Sequence, residues 1–545
     1  MLLLTVLLVS TSITIALMPF FISLAYRLQA VDEPNSRKVH KSIMPKCGGM
    51  AMAIGAMTPI VLWGPMTPFT KAVLLGAIVI VTFGVMDDIK DLNPMMKFSG
   101  QIAVALIAIF VGGIKISSLG NILPVGVVLP DWLAIPLTIF VIVGATNATN
   151  LADGLDGLAG GISLLIFICI GYLAFCEKYF PITIFSIAIG GAILGFLRFN
   201  TYPAKLFMGD AGSQLLGFLA ILFSINLTQK VTQLNVLLPL LIMGLPILDT
   251  LTVMIKRLAN GISPFVADKN HFHHKLTDMG LYHTEAVLSI YVIQSVFIIL
   301  AITLRHASEW QALATYLIYS GCVISFFYVT SIKKYRLNRN ILLHPIKMQL
   351  RSLRDGGTAI KFSFRIVEVG FPTLLLANCL LAAPPSKVYL FVFGALCIII
   401  MLMWSLKTPF LDTMIRLGLY LITPFLVYAS DRGIHAYMDS IYVKLYHFSY
   451  LILFLFVILT LNLTRRATRF KSSPMDFLTV FIIMLIPNLP NTELHDYFLG
   501  LVAAKTIVLF FSYEVLKGEL RLKSRNLSFI TAMLMILLAS VKIIL

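Results

Sequence analysis

Charge is scarce in this chain. Of 545 residues, 12% are charged and 59% hydrophobic. A soluble globular domain carries about 25% charged residues, so a soluble fold is excluded and the long apolar runs read as a polytopic membrane protein. Acidic charge is scarcest, with 25 Asp and Glu against 42 Lys and Arg and a net charge of +17. In a soluble protein that excess would suggest nucleic acid. Here the basic residues gather in alternate loops, as the positive-inside rule requires, so nucleic acid is not expected as a partner. The six cysteines (Cys47, Cys169, Cys176, Cys322, Cys379 and Cys397) lie mostly inside apolar runs without metal-ligand spacing, so no disulfide framework is implied. Met1-Leu2-Leu3-Leu4 lacks a basic n-region and the basic residues follow the run, which predicts a retained first span with its N-terminus outside.

Apolar runs of about 17–22 residues mark the spans. They lie near 1–26, 48–66, 70–86, 98–116, 131–147, 158–176, 180–197, 212–228, 234–255, 284–304 and 310–330, with a second series near 366–384, 387–405, 410–429, 441–463, 474–490, 496–513 and 527–545. The expected fold is all-α: a bundle of about 11 helices followed by about 7 further transmembrane helices. With the N-terminus outside, the loops predicted to face the cytoplasm hold about twenty-two Lys and Arg through residue 365, and the opposite loops about five. The expected domains are 1–330, a basic cytoplasmic linker at 331–365, and a C-terminal extension at 366–545 that carries only scattered polar residues such as Arg416, Lys444, His447, Glu493 and His495. No internal repeat is evident.

Five polar clusters interrupt the apolar chain, and alternation of spans puts all five on one side of the bilayer: Asp32 to Lys46, Asp87 to Asp91, Asn147 to Asp156, Phe207 to Ser213, and Ser263 to Lys275. Adjacent acids at a helix C-terminus, as in Asp87-Asp88, oppose the helix dipole and repel each other unless a cation shares the site; Asp-Asp pairs also occur in ordinary loops. Asn150, Asp153 and Asp156 punctuate a glycine-rich stretch in which the two carboxylates share a helical face. Helix packing would account for its glycines but not for Asn150 and the carboxylates. Asp210 and Ser213 open another span, where they would cap the helix, while its free N–H groups would receive phosphate and Asp210 would bind Mg²⁺. His271, His273 and His274 suit a diphosphate better than zinc, for which no second ligand cluster is present; surface histidines are the alternative.

In order and spacing these clusters resemble the polyprenyl-phosphate N-acetylhexosamine-1-phosphate transferases, a family that includes the phospho-N-acetylmuramoyl-pentapeptide transferases. The resemblance covers about residues 1–330. It rests on Asp32-Glu33-Pro34-Asn35-Ser36-Arg37-Lys38-Val39-His40 with Gly48-Gly49, on Asp87-Asp88, on Asn150 to Asp156, on Gly209-Asp210-Ala211-Gly212-Ser213, and on the histidine motif. The His271-x-His273-His274 spacing after Ser263-Pro264-Phe265, and Asp249 after Leu245-Pro246, are more like the N-acetylglucosamine-type branch, although Ile262 stands where that branch often has a basic residue. The resemblance implies a bundle of ten or eleven helices in the bacterial inner membrane with a cytoplasmic active site. Asp87, Asp88 and Asp210 would be catalytic. Asn150, Asp153, Asp156, His271, His273, His274 and Lys46 would bind substrate, and Asp210 with Asp153 would hold Mg²⁺, with Mn²⁺ as a substitute. The implied partners are a UDP-N-acetylhexosamine, a polyprenyl phosphate and membrane lipid, with a homodimer and glycan-assembly proteins docking on the extension as further expectations. The implied reaction moves N-acetylhexosamine 1-phosphate to the lipid and releases UMP, by direct attack or through an aspartyl intermediate. A transporter or flippase of lipid-linked sugars is the rival reading.

Overall fold

The computed structural model describes residues 2–33, 43–124, 127–231, 233–261, 263, 271–332, 358–382, 423, 426–434, 439–463 and 499–520. The chain divides into two compact units, Met1–Leu337 with Ser473–Thr479, and Asn338–Ser472 with Val480–Leu545.

In the first unit α1 (Leu2–Leu28) leads through β1 (Val31–Asp32) and β2 (Met44–Pro45) into α2 (Gly48–Trp63), α3 (Pro68–Lys90), α4 (Pro94–Phe110), α5 (Asp131–Leu151), α6 (Leu158–Cys176), α7 (Phe180–Asn200) and α8 (Gly209–Lys230). Then follow α9 (Leu238–Ile242), α10 (Gly244–Ala259), α11 (Phe272–Asp278), α12 (His283–Thr303) and α13 (Glu309–Ile332). Among the described residues ten helices are long and apolar enough to cross a membrane, eight of them in this unit. The protein is therefore a multi-pass, all-α membrane protein, and each of the first eleven predicted spans coincides with a helix or a helix pair. In the C-terminal series, those near 366–384, 441–463 and 496–513 meet helices. The spans near 387–405, 474–490 and 527–545, most of 410–429, and most of the basic linker lie outside the described residues.

Local chemistry sets the helix starts. Thr67 accepts a hydrogen bond from Thr70 N at 3.2 Å ahead of Pro68, and Asn93 accepts one from Met96 N at 2.9 Å ahead of Pro94; a capping side chain followed by proline at the first helical position is a strong start signal. The α8 helix is apolar on every side and fully buried through its span, packed against α2, α3, α5 and α6. Phe69, Phe167, Phe185 and Phe223 form an aromatic cluster around it, with ring centroids about 6 Å apart. On its outer side α1 lies close to α7 through small residues, with Ser10 Oγ donating to Ala188 O at 2.5 Å and Thr11 Oγ1 to Gly191 O at 3.0 Å.

The predicted ninth span, 234–255, is a broken helix. Pro239 and Pro246 remove backbone donors, and the chain interrupts between α9 and α10 at Met243. Gln294 of α12 spans the gap, accepting from Leu245 N at 3.2 Å and donating to Ile242 O at 2.9 Å. In a bilayer such freed backbone groups need a protein partner, and this amide supplies both halves.

The second unit holds the helices Thr358–Leu381, Ser440–Leu463 and Leu499–Leu520, which pack on one another, and a helical segment at 426–434. Val367, Phe371, Leu375, Leu453, Val457 and Leu509 are in its core. That core encloses a polar centre. Lys505 is ion-paired with Asp431, both 2% exposed, and its ammonium lies 4.2 Å from the Tyr446 ring centroid. Beside them Asn378 Oδ1 accepts from Ser430 Oγ at 2.6 Å and from Tyr446 OH at 2.7 Å. Removing one member of a buried pair strands the other charge. Lys505→Met should therefore destabilise the protein by about 3–5 kcal/mol, and adding Asp431→Leu should restore most of the loss. Thermal unfolding of the full chain in detergent checks this; a single variant as stable as the double one would contradict it.

Candidate active site

The site is built at one end of the first bundle, around the start of α8. The strand pair β1–β2 aligns Val31 with Pro45 and Asp32 with Met44. The chain after β2 then joins the segment before α8: Phe207 N donates to Pro45 O at 2.9 Å, Gly48 N to Phe207 O at 3.0 Å and Gly49 N to Met208 O at 2.9 Å. A Cβ at Gly49 would collide with the Gly212 backbone, and one at Gly84 with Ala211, so the ends of α2 and α3 approach α8 backbone to backbone. This register carries Lys46 to the same edge, where its ammonium lies 3.9 Å from Asp32.

Asp88 sits at the end of α3, yet it caps a different helix. Its Oδ1 accepts from Asp210 N at 3.0 Å and its Oδ2 from Ala211 N at 3.2 Å. These are among the first N–H groups of α8, which have no partner within the helix, and a carboxylate there is favoured by the dipole. This overturns one expectation: neither Asp210 nor Ser213 caps α8, and two of the N–H groups at its start are held by Asp88. Ser213 Oγ donates instead to Asn150 Oδ1 at 2.5 Å and to Gly209 O at 3.1 Å.

Asp87 and Asp210 share a cation that the sequence reading passed over. Lys97 Nζ lies 2.6 Å from Asp87 Oδ2 and 3.3 Å from Asp210 Oδ2, while Leu92 N donates to Asp87 Oδ1 at 2.8 Å. Lys97 occupies the opening turn of α4, where a cation opposes the dipole, just as Asp87 opposes it at the end of α3. Each placement is unfavourable alone and the pairing resolves both. A lysine at a helix start was the available signal. One turn further along α8, Gln214 Oε1 accepts from Gln101 Nε2 at 3.3 Å, and Gln101 exchanges hydrogen bonds with Asn147.

The glycine-rich turn between α5 and α6 is held from three sides. Gly157 N donates to Asn200 Oδ1 at 2.9 Å, Tyr291 OH donates to Gly157 O at 2.6 Å, and Asp156 N donates to His283 Nε2 at 3.1 Å. Asp156 Oδ2 accepts from Ala204 N at 2.9 Å, so this carboxylate braces the loop before α8 as well as facing the site. Asn200, His283 and Tyr291 were not singled out from sequence, because nothing local distinguishes them from other polar residues at helix ends.

The histidine motif is anchored by Asp249, which accepts from Phe272 N at 2.9 Å and contacts His271 Nδ1 at 2.9 Å. An acid inside a membrane helix needs such partners. Phe272 stacks on Phe327 of α13 with centroids 4.4 Å apart, and Lys275 lies over both rings. The ring of His273 lies against Gly154, where a Cβ would collide with it, and its centroid is 5.8 Å from that of His271 and 4.2 Å from that of His274. Burial, followed by the neighbouring His274, pulls the His273 imidazole down to about 3, so it meets a ligand as a neutral hydrogen-bonding ring. Asp268, Lys269, Asn270 and Ile262, and Pro34 to His40 of the first cluster, lie outside the described residues.

Asp153 faces the same space. Burial, then the charges of Asp210 and Asp156, push its carboxyl up to about 7. The charge of Asp210 thus opposes ionisation of Asp153, and a cation received between them would relieve that repulsion. Among the described residues no three His, Cys, Asp or Glu converge as a closed metal cage. That donor set suits Mg²⁺, which takes one or two carboxylates and completes its shell with water and phosphate, and it does not suit a structural Zn²⁺.

Comparison with known proteins gives the family. The model of glycosyl transferase family 4 matches residues 70–228, the stretch from α3 to α8 that holds Asp87, Asp88, Lys97, Asn150, Asp153, Asp156 and Asp210. The chain is 38% identical over 311 residues, 56% of its length and 86% of the relative's, to the probable undecaprenyl-phosphate N-acetylglucosaminyl 1-phosphate transferase of Bacillus subtilis. This chain belongs to glycosyl transferase family 4. It is also 31% identical over 341 residues, 61% of its length and 91% of the relative's, to the undecaprenyl-phosphate alpha-N-acetylglucosaminyl 1-phosphate transferase of Escherichia coli. To the decaprenyl-phosphate N-acetylglucosaminephosphotransferase of Mycobacterium tuberculosis it is 35% identical over 302 residues, 49% of its length and 74% of the relative's.

The Asp153 environment in this family 4 protein gives a pH signature. Its folded-state value lies above the ordinary 3.8, so the folded protein holds a proton that the unfolded chain has released. The stability this group contributes is full below about 4 and is lost as pH rises through about 7. Without added divalent cation, the thermal midpoint of the wild type should fall relative to Asp153→Asn between pH 5 and 7 and run parallel to it above pH 8. Parallel curves throughout would contradict the assignment.

Proposed function

We propose that this chain transfers N-acetylglucosamine 1-phosphate from UDP-N-acetylglucosamine to a membrane polyprenyl phosphate, releasing UMP, as the first step of a lipid-linked cell-envelope glycan. The observation that carries the reading is that Lys46, Asp87, Asp88 and Asn150 gather at the start of α8, with His273 against the adjoining glycine-rich turn, in a family 4 chain whose relatives are named N-acetylglucosaminyl 1-phosphate transferases. The basic bias of the loops at this end of the bundle supports a cytoplasmic site in the bacterial inner membrane.

A phosphate monoester is largely dianionic at neutral pH, so the acceptor needs no strong base. Its oxygen attacks the β-phosphorus of the nucleotide sugar; the bond from that phosphorus to the bridging oxygen breaks, and UMP leaves with the electron pair. The obstacle is repulsion between two anions. Mg²⁺ held by Asp210 and Asp153 would supply charge neutralisation on the phosphates. Lys97 and Lys46 add fixed cations at the same edge, His271 and His273 offer hydrogen bonds to a diphosphate, and Asn150 and the glycine-rich turn line the nucleotide side. Asp88 positions Asp210 by holding the backbone beneath it. The isoprenoid tail stays in hydrocarbon while its phosphate reaches the helix ends, so only the nucleotide sugar diffuses in from water.

Purified protein in Mg²⁺ with polyprenyl phosphate and a panel of UDP-sugars should release UMP, fastest with UDP-N-acetylglucosamine. Asp210→Asn should lower that rate by about a hundredfold or more while leaving the protein folded in detergent. Absence of UMP with every donor, or near-normal transfer by Asp210→Asn, would contradict the reading.

A further inference from the structure

The second unit carries a groove that the transfer reaction does not use. It has a volume of 620 Å³ and lies between the helices Thr358–Leu381 and Ser440–Leu463. Lys361, Arg365, Val369 and Thr373 form one row along its first wall, each four residues after the last, so they share a helix face. At about 1.5 Å per residue the row is about 18 Å long. It begins with two exposed cations one turn apart and continues into apolar surface. Leu453 and Ile452 face it from the other helix.

The groove's few hydroxyls are already satisfied. Thr373 Oγ1 donates to Val369 O at 2.7 Å and Ser449 Oγ to Tyr446 O at 2.7 Å, each within its own helix. Among the described residues the interior therefore offers apolar contact and no open donor, while its mouth offers two. A sugar or nucleotide would lose hydrogen bonds there. A molecule with one anionic end and one long apolar chain matches both parts. A single groove walled by branched side chains accommodates one chain, which favours an isoprenoid over a diacyl lipid.

We infer that this groove binds a polyprenyl phosphate by its headgroup at Lys361 and Arg365 and its first isoprene units along Val369 and Leu453, making the second unit a holding site for the acceptor lipid. This deepens the proposed transfer and rests on it for the identity of the lipid.

The test uses the full chain in nanodiscs with a diazirine-bearing polyprenyl phosphate and peptide mapping after photolysis. Labelling should fall on residues 362–374 and 449–453, and unlabelled polyprenyl phosphate should compete where phosphatidylglycerol at equal concentration does not. Near a membrane surface each cation contributes about a factor of five, so Lys361→Gln with Arg365→Gln should reduce groove labelling about twenty-five-fold. Val369→Trp, which fills the groove and keeps both cations, should abolish it. Labelling confined to the first unit, equal competition by phosphatidylglycerol, or groove labelling indifferent to both variants would overturn the inference. UMP release measured on the same samples separates the two proposals: release without groove labelling removes the holding site alone, whereas groove labelling without release removes the transfer reading and leaves the lipid site standing.

Discussion

The carboxylate of Asp88 on the backbone of Asp210 and Ala211 is the contact on which the site depends. It ties the end of α3 to the start of α8, and α8 is the buried axis against which α2, α3, α5 and α6 pack. With that end fixed, Asp210 projects toward Lys97, Ser213 reaches Asn150, and the Phe207 segment is held in register beside Lys46. Two helix ends that carry the wrong charge for their dipoles, the acids of α3 and the lysine of α4, are stable because they face each other and α8. Electrostatic strain that would be unfavourable in any one helix becomes a charged pocket when several helices share it.

Much of this was legible in the chain itself. A bilayer admits few backbone solutions, so apolar runs and alternating basic loops predicted each long helix of the first unit, though not the short α11 within a polar loop, and the polar clusters fell at helix ends because acids are costly inside. What escaped the reading depends on tertiary partners. Asp88 reads as half of an acidic pair, and only the approach of α8 makes it a cap. Lys97 reads as one more positive-inside residue. Asp156 reads as a ligand-facing acid, yet one of its oxygens braces Ala204 N. The break between α9 and α10 has prolines to announce it, but the Gln294 amide that makes it tolerable lies on α12, some fifty residues away.

The second unit shows the converse. Its sequence has no dense motif, and Asp431 and Lys505 did not stand out among scattered polar residues. The fold brings them together with Asn378, Ser430 and Tyr446 in a buried centre. Of the residues that did stand out there, Arg416, Glu493 and His495 lie outside the described residues. Spacing finds a site when its parts sit at predictable helix ends, and misses it when the parts lie mid-helix on separate elements.

The most direct measurement of the central claim is amide hydrogen exchange across residues 207–214 in the full chain, wild type against Asp88→Ala. Loss of a charged cap removes about 1–2 kcal/mol from a helix start, so exchange of this segment should accelerate about five- to thirtyfold, while the middle of α8 keeps its protection. Unchanged exchange at 207–214 would contradict the account, since the start of α8 would then be held by something other than Asp88.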